Sequence, residues 1–489
     1  MTNQPIATNK GIFLSLDWIT IALYLTMLVW GWFSVCGASY SYSHPDVFAW
    51  GTNSGKQLVW IGTSIALASA LLFIEKRFYD TAAYPIYGLI ILLLILTIFI
   101  APDTKGSRSW IPIGPVKLQP AEFSKFAVAL CLARTIDRYG FRPNSLKDLA
   151  LYFGIILFPM LLIILQKETG SALVYSAFFL VLYREGLTGS LLFTAFAGVV
   201  YFVVGIRFAE DLIPNMPVSI GECVVLLLAQ IFTTALTWVY TKNRAAVRLM
   251  LSVGLGTALL AFLFSAYVIP FNFCWILLAL NILQILYLIG LAAYHQHFRY
   301  VLLTLFALIS TLSFYIADTF LDHLDDHQRV RIEVLLGKKD DIRGAGYNVN
   351  QAKIAIGSGG VAGKGFLNGT QTKLKYVPEQ DTDFIFCTVG EEEGFIGSAA
   401  VLIVYLLFIW RLLALAERQP DALGRVYGYS VCCIFLFHLF VNVGMVLGLT
   451  PVIGIPLPFF SYGGSSLWGF TILLFIFLRM DAERNVKRQ

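Results

Sequence analysis

Apolar runs of about 20 residues, separated by short polar stretches, recur along almost the whole chain, and a run of that length crosses a bilayer as a helix. Helices are predicted near 13–36, 57–74, 82–101, 119–135, 148–165, 170–184, 188–206, 220–240, 246–268, 272–294 and 299–318. A long polar segment follows at about 319–384, and then helices near 385–416, 425–449 and 462–480. The pattern is that of an all-α, polytopic membrane helix bundle with about 14 transmembrane helices. A membrane β-barrel would instead show short alternating segments. The first run is too long for the core of a signal peptide and reads as the first membrane helix, with Trp18 at the interface position such residues favour.

Composition agrees: of 489 residues, 58% are hydrophobic and 13% charged, against about a quarter charged in ordinary globular chains. The net charge of +5 follows membrane orientation and implies no nucleic-acid partner. One alternate set of loops holds Lys76, Arg77, Arg134, Arg138, Arg142, Lys147, Arg184, Lys242, Arg244, Arg248, Arg299, Arg411, Arg418 and Arg425, with Arg479, Arg484, Lys487 and Arg488 in the tail. Basic loops stay on the cytoplasmic side, so both termini are expected there and segment 319–384 becomes one large extracytoplasmic loop. The seven cysteines sit mostly in apolar runs with no CxxC and read as packing residues.

Several polar features then ask for chemistry. Gly357–Gly365 looks like a phosphate loop, but Ser358 stands where glycine is needed and Gly365 follows Lys364. With no ATP on the outer side, no nucleotide is expected. His323 and His327 have the i, i+4 spacing of two ligands on a helix face, beside Asp322, Asp325 and Asp326; a solvated acidic helix end is the preferred reading of them. Glu122 and Lys125 are i, i+3 on a membrane helix and share a face, where charge is expensive and marks either a cavity or a structural pin. The loop carries Asp340 and Asp341, then Glu379, Asp381 and Asp383, then Glu391, Glu392 and Glu393. An outward enzyme without nucleotide needs a substrate that is already activated. A carboxylate base acting on a sugar hydroxyl, with pyrophosphate leaving, would fit. Residues 448–467 interrupt an apolar run with three prolines and a Gly-Gly pair. Irregular backbone at membrane depth is tolerated where protein buries it or where it lines a cavity, so Pro458, Ser461, Gly463 and Gly464 are expected in a re-entrant element lining a cavity.

The stretches GSRSWIPIGPVKLQPAEFSKF, HQRVRI, DIRGAGYNVNQAKIAIGSGG, GKGFLNGTQTKLKYVPEQDTDFIF, GEEEGFIG and GIPLPFFSYGGSS together resemble the SEDS family (shape, elongation, division and sporulation), over roughly 1–186 and 299–480. The resemblance implies a peptidoglycan glycosyltransferase that polymerises lipid II in cell-wall elongation, located in the cytoplasmic membrane of a bacterium with its active site on the outer face. The implied partners are a class B penicillin-binding protein and other membrane proteins of the elongation complex. The family's essential loop aspartate maps onto Asp341, its basic pair onto Arg329 and Arg331, and its helix-four acid and lysine onto Glu122 and Lys125. Asp341 would be the catalytic base. Arg108, Arg329, Arg331, Lys364 and Gln371 are candidate substrate-binding residues, and a divalent cation (Mg or Mn) is a candidate cofactor. Gln166-Lys167-Glu168-Thr169-Gly170 departs from the family's Gln-Pro-Asp pattern. The family's roughly ten helices leave a surplus here, which divides the chain into 1–186, extra helices at 187–298, a core helix with the catalytic loop at 299–384, and 385–489. A lipid II transporter and a non-catalytic scaffold of the elongation or division complex stay open as alternatives.

Overall fold

The computed structural model describes residues 14–40, 46–104, 106–114, 116–138, 141, 145–213, 216–322, 329–330, 333, 336 and 346–486. Each of the fourteen apolar segments has a helical counterpart among them. Among the described residues eleven helices are long and apolar enough to cross a membrane: α1 (Trp18–Ser39), α2 (Asn53–Phe73), α3 (Lys76–Ile100), α5 (Lys147–Leu165), α7 (Gly189–Arg207), α8 (Ile220–Thr241), α9 (Arg244–Tyr267), α10 (Cys274–His295), α15 (Gly394–Glu417), α16 (Ala422–Leu447) and α17 (Gly464–Arg484). Three fall outside that set for visible reasons. Helix α4 (Pro120–Asp137) carries buried Glu122 and Lys125. Helix α6 (Thr169–Arg184) is short and passes through a 3-10 turn at Val174–Ser176. Helix α11 (Phe298–Asp322) continues its apolar run past Ser313 through Phe314, Tyr315 and Ile316, and carries Asp318 and Asp322 toward its end.

The chain divides into two units, 1–187 with 347–489, and 188–346. In the first, α4, α16 and α17 supply much of the buried core, including Leu130, Phe435, Phe459, Phe470 and Leu474. A small hairpin that the sequence pattern missed, Ile111–Ile113 against Val116–Leu118 with Ile111 opposite Leu118, precedes α4. Ser465 at the start of α17 holds it: its Oγ donates to Lys117 O at 2.9 Å and accepts from Gln119 N at 3.3 Å. In the second unit, α11 packs against α7, α8 and α10. Its interior mixes apolar side chains such as Val225 and Leu288 with amides: Gln284 Nε2 donates to Thr234 Oγ1 at 3.1 Å, and Asn281 Nδ2 to Leu226 O at 3.1 Å. Where lipid is the solvent, side-chain hydrogen bonds between helices act together with van der Waals packing to join them.

The polar segment is more regular than its composition suggests. Two helices lie in it, α12 (Tyr347–Gly359) and the single turn α13 (Thr370–Lys373). Ala352, Ala355 and Gly359 form a small-residue face on α12, and the helix lies close against α14 (Ile385–Glu392). The segment expected as one helix over 385–416 is two, α14 and α15, because Gly394 turns the backbone left-handed at φ 70°.

Candidate functional site

Between α12 and α15 the chain is organised around one carboxylate. Glu391, fully buried in α14, accepts on Oε1 from Lys364 Nζ at 2.7 Å, Thr370 N at 2.8 Å and Gln371 N at 2.9 Å. Its Oε2 accepts from Thr372 N at 2.9 Å. It thereby caps from a distance the N–H groups that open α13, the groups a helix start leaves without partners. Burial alone raises this carboxyl, but the Lys364 ammonium and the Gln371 and Thr372 N–H groups outweigh it and hold Glu391 at about 2. Backbone bonds fasten the same loop to the α14–α15 junction: Lys364 N to Glu391 O at 3.1 Å, Gly365 N to Glu392 O at 2.8 Å and Phe395 N to Gly360 O at 2.9 Å. At that seam Gly363 and Gly394 are both left-handed, and a Cβ on either would strike the other strand's backbone, so the approach requires glycine.

The next two acids differ. Burial, helped by the charges of Glu391 and Glu393, pushes Glu392 up to about 7 against the opposing pull of Lys373 and the Leu367 N–H. Its Oε1 is buried with no hydrogen-bond partner. Glu393 is also raised by burial, and its Oε1 accepts from Trp30 Nε1 at 2.7 Å. None of the three is the solvated outward carboxylate that an acid run suggests.

A second centre lies in the helices. Lys125 Nζ donates to both carboxylate oxygens of Glu122 at 2.9 Å and lies 3.0 Å from His438 Nε2. His438 Nδ1 is 3.0 Å from Pro456 O. That carbonyl only accepts, so Nδ1 carries the proton and Nε2 is free to accept from the lysine. All three side chains are buried, and Phe470 covers both the ammonium, 5.0 Å from the ring centre, and the imidazole. Asn442, one turn beyond His438, donates to Ile455 O at 2.7 Å and Asp383 O at 2.8 Å. Tyr405 Oη donates to Pro458 O. These contacts take up the carbonyls that the irregular 448–463 segment frees. Ser461 Oγ donates to Thr382 O at 2.6 Å and accepts from Leu457 N at 2.8 Å. Gly463 N donates to Gln57 Oε1 at 3.3 Å, and a Cβ on Gly464 would meet Trp60. Sequence reasoning singled out Glu122 and Lys125 but missed His438 and Asn442. Their signal was two polar residues at i, i+4 in an otherwise apolar helix.

The remaining candidates are spread out. The Arg108 side chain is exposed, 3.9 Å from Asp103, while its backbone N–H donates to Gln166 O. Nearby Ser107 and Ser109 donate to Glu168 Oε1 at 2.9 and 2.6 Å. Arg329 pairs with Glu333 at 2.8 Å. Lys364, besides Glu391, donates to Ser358 Oγ and Thr370 Oγ1. Gln371 contributes its backbone N–H to the Glu391 clamp. Asp340, Asp341, Arg331, His323 and His327 lie outside the described residues. A cleft of about 570 Å³ opens where the end of α1, the start of α2 and residues 375–381 meet.

Helices of membrane-crossing length enclosing buried ion pairs, with an acid-clamped polar loop, define a polytopic membrane protein of the helical class. The chain belongs to the cell cycle protein family of FtsW, RodA and SpoVE, which it matches over residues 17–212 and 220–486. It is 32% identical over 445 residues to the peptidoglycan glycosyltransferase RodA of Treponema pallidum, covering 88% of this chain and 89% of that one. It is 29% identical over 470 residues to the peptidoglycan glycosyltransferase MrdB of Escherichia coli, covering 96% and 94%. Among solved structures it resembles the rod shape determining protein RodA of Thermus thermophilus, with TM-score 0.54 and 21% identity over 96% of this chain and 97% of that one. It also resembles a chain of a peptidoglycan synthase complex that coordinates polymerisation and crosslinking, with TM-score 0.56 and 22% identity over 96% and 98%.

Proposed function

We propose that this chain is a peptidoglycan glycosyltransferase that polymerises lipid II during cell-wall elongation. The observation that carries the reading is the match along nearly the full length of relatives named for that activity. The alternate basic loops support cytoplasmic termini and an outer-face active site. Asp341 takes the proton from the 4-hydroxyl of the acceptor sugar. That oxygen then bonds to the anomeric carbon of the donor as the bond to undecaprenyl pyrophosphate breaks. Cations stabilise the charge that develops on a leaving pyrophosphate, the role assigned to Arg108, Arg329 and Arg331. Lys364 is committed to Glu391, and its part is to hold the loop. A divalent cation remains a candidate cofactor for pyrophosphate departure, and polymerisation with and without chelator tests it. A class B penicillin-binding protein is the proposed partner.

The test is polymerisation of labelled lipid II by purified protein with and without that partner, for wild type, Asp341→Asn and Asp340→Asn. Glycan from wild type and Asp340→Asn, with none from a folded, partner-bound Asp341→Asn, is the expected result. Equal glycan from all three would remove Asp341 from the base role. No glycan from any would return the transporter and scaffold readings.

A further inference from the structure

Four cations gather at one end of the second unit with no carboxylate among them. Between Glu222 and Asp318 the chain holds Lys242, Arg244, Arg248 and Arg299 and no Asp or Glu. Glu222 opens α8 and Asp318 lies late in α11, each roughly 30 Å along its helix from the nearest of the four at 1.5 Å per residue. The cluster forms where the α8–α9 and α10–α11 turns meet. Arg299 Nη1 donates to Tyr240 O at 3.1 Å, Asn243 Nδ2 donates to Tyr300 Oη at 3.3 Å, and the His295 ring stacks on Tyr300 at 5.5 Å. Arg244 and Arg248 are i, i+4 on α9, with Arg248 Nε donating to Arg244 O at 3.3 Å. Like charges at that spacing repel, and an anion between them would remove the repulsion. All four cations are exposed. The basic loops of the first unit are arranged differently: Lys76 pairs with Asp421 at 2.6 Å, Arg134 with Asp80 at 2.9 Å and Arg425 with Glu185 at 2.9 Å. Bases held in ion pairs still mark those loops as basic, so orientation does not require the four here to lack a counter-charge.

We propose that this end of the second unit binds the phosphodiester headgroup of an anionic phospholipid, with Lys242, Arg244, Arg248 and Arg299 as its cations. Three of the four are arginines, whose planar fork of donors matches phosphate oxygens. The surrounding apolar side chains select a lipid over a soluble anion. Trp238, Leu249, Tyr294 and Phe298 are exposed around the cations, and the Trp238 ring lies 5.9 Å from the Arg244 guanidinium. Aromatic rings at a helix end sit at headgroup level in a bilayer. Basic pockets between membrane helices on the cytoplasmic side take headgroups of this charge, and the alternation of basic loops assigns these turns to that side. The helices beyond the family's usual number thus hold the protein to anionic lipid, a task independent of the polymerase reading.

The experiment titrates the delipidated full chain in detergent with phosphatidylglycerol or phosphatidylcholine and reads the Kd of the first bound lipid by native mass spectrometry. Wild type should bind phosphatidylglycerol the more tightly. Arg244→Gln and Arg248→Gln, at melting temperatures matching wild type, should each weaken phosphatidylglycerol about fivefold, the scale of one cation at an anionic headgroup, and leave phosphatidylcholine unchanged. Arg207→Gln makes the same change of charge at the other end of the unit, where Arg207 lies 3.5 Å from Asp211, and should alter neither Kd. Equal Kd for the two lipids on wild type overturns the proposal and leaves the patch to an acidic protein segment. A loss on Arg207→Gln as large as on Arg244→Gln also overturns it, because net charge alone would then explain the preference. Displacement of phosphatidylglycerol by millimolar inorganic phosphate at constant ionic strength overturns the choice of a lipid.

Discussion

Glu391, Glu392 and Glu393 are the same side chain in three environments, and the surroundings decide the proton. Four donors keep Glu391 ionised, whereas Glu392 has an orphaned buried oxygen and is raised to about 7. The consequences for stability run in opposite directions. For Glu391 the unfolded value is 4.5 and the folded value about 2. Its contribution, roughly 3 kcal/mol, is full above pH 4.5 and lost as pH falls toward 2. For Glu392 the folded value lies above the unfolded 4.5. Between pH 4.5 and 7 the unfolded state sheds its proton first, so stability is full below 4.5 and declines by roughly 3 kcal/mol as pH rises through 7. Melting curves of the solubilised protein from pH 4 to 8 should show Glu392→Gln more stable than wild type at pH 8 and flatter across the range, and Glu391→Gln less stable throughout. A Glu392→Gln profile that tracks wild type would refute the assignment.

Polar contacts join helices here in addition to the packed apolar core. Lys125 and Glu122 on α4 meet His438 on α16, and His438 fixes the irregular segment through Pro456. Removing one partner strands a buried charge, which costs roughly 3–5 kcal/mol, while replacing both with apolar groups is often near neutral. Lys125→Met should therefore destabilise strongly, and Glu122→Leu with Lys125→Met together should recover most of the loss, read as melting temperatures in a double-mutant cycle. A double variant as unstable as the sum of the singles would mean the charges do more than pin the bundle. The sequence reveals the long helices because twenty apolar residues in a row have one good solution in lipid. It conceals α12, whose face of Ala352, Ala355 and Gly359 is too small to register as hydrophobic and works by close approach. The break at Gly394 is hidden for a related reason: its cause is a clash with Gly363, thirty-one residues earlier, and no local pattern records that. The proposal of Asp341 as base rests on resemblance alone, since spacing does not separate it from Asp340. His438 and Asn442 acquire meaning only from the carbonyls they face.

At the scale of the molecule, the relatives match nearly end to end, and the alternation of basic loops proposes one orientation. Cysteine labelling with a membrane-impermeant maleimide tests it: Lys375→Cys should react from outside intact spheroplasts and Lys147→Cys only after lysis. Reaction of Lys147→Cys from outside would invert the topology and put Asp341 beyond reach of an outer-face substrate. The Glu391 clamp carries a further consequence for biogenesis. Thr370, Gln371, Thr372 and Lys364 all leave the ribosome before the residue that receives their hydrogen bonds, and Trp30, which Glu393 receives, left it hundreds of residues earlier. The first helices can be in the bilayer while the loop still has no acceptor. The organisation of the loop is thus withheld until the last three helices are being made, and a chain cut short upstream of Glu391 would reach the membrane with no acceptor for those four donors.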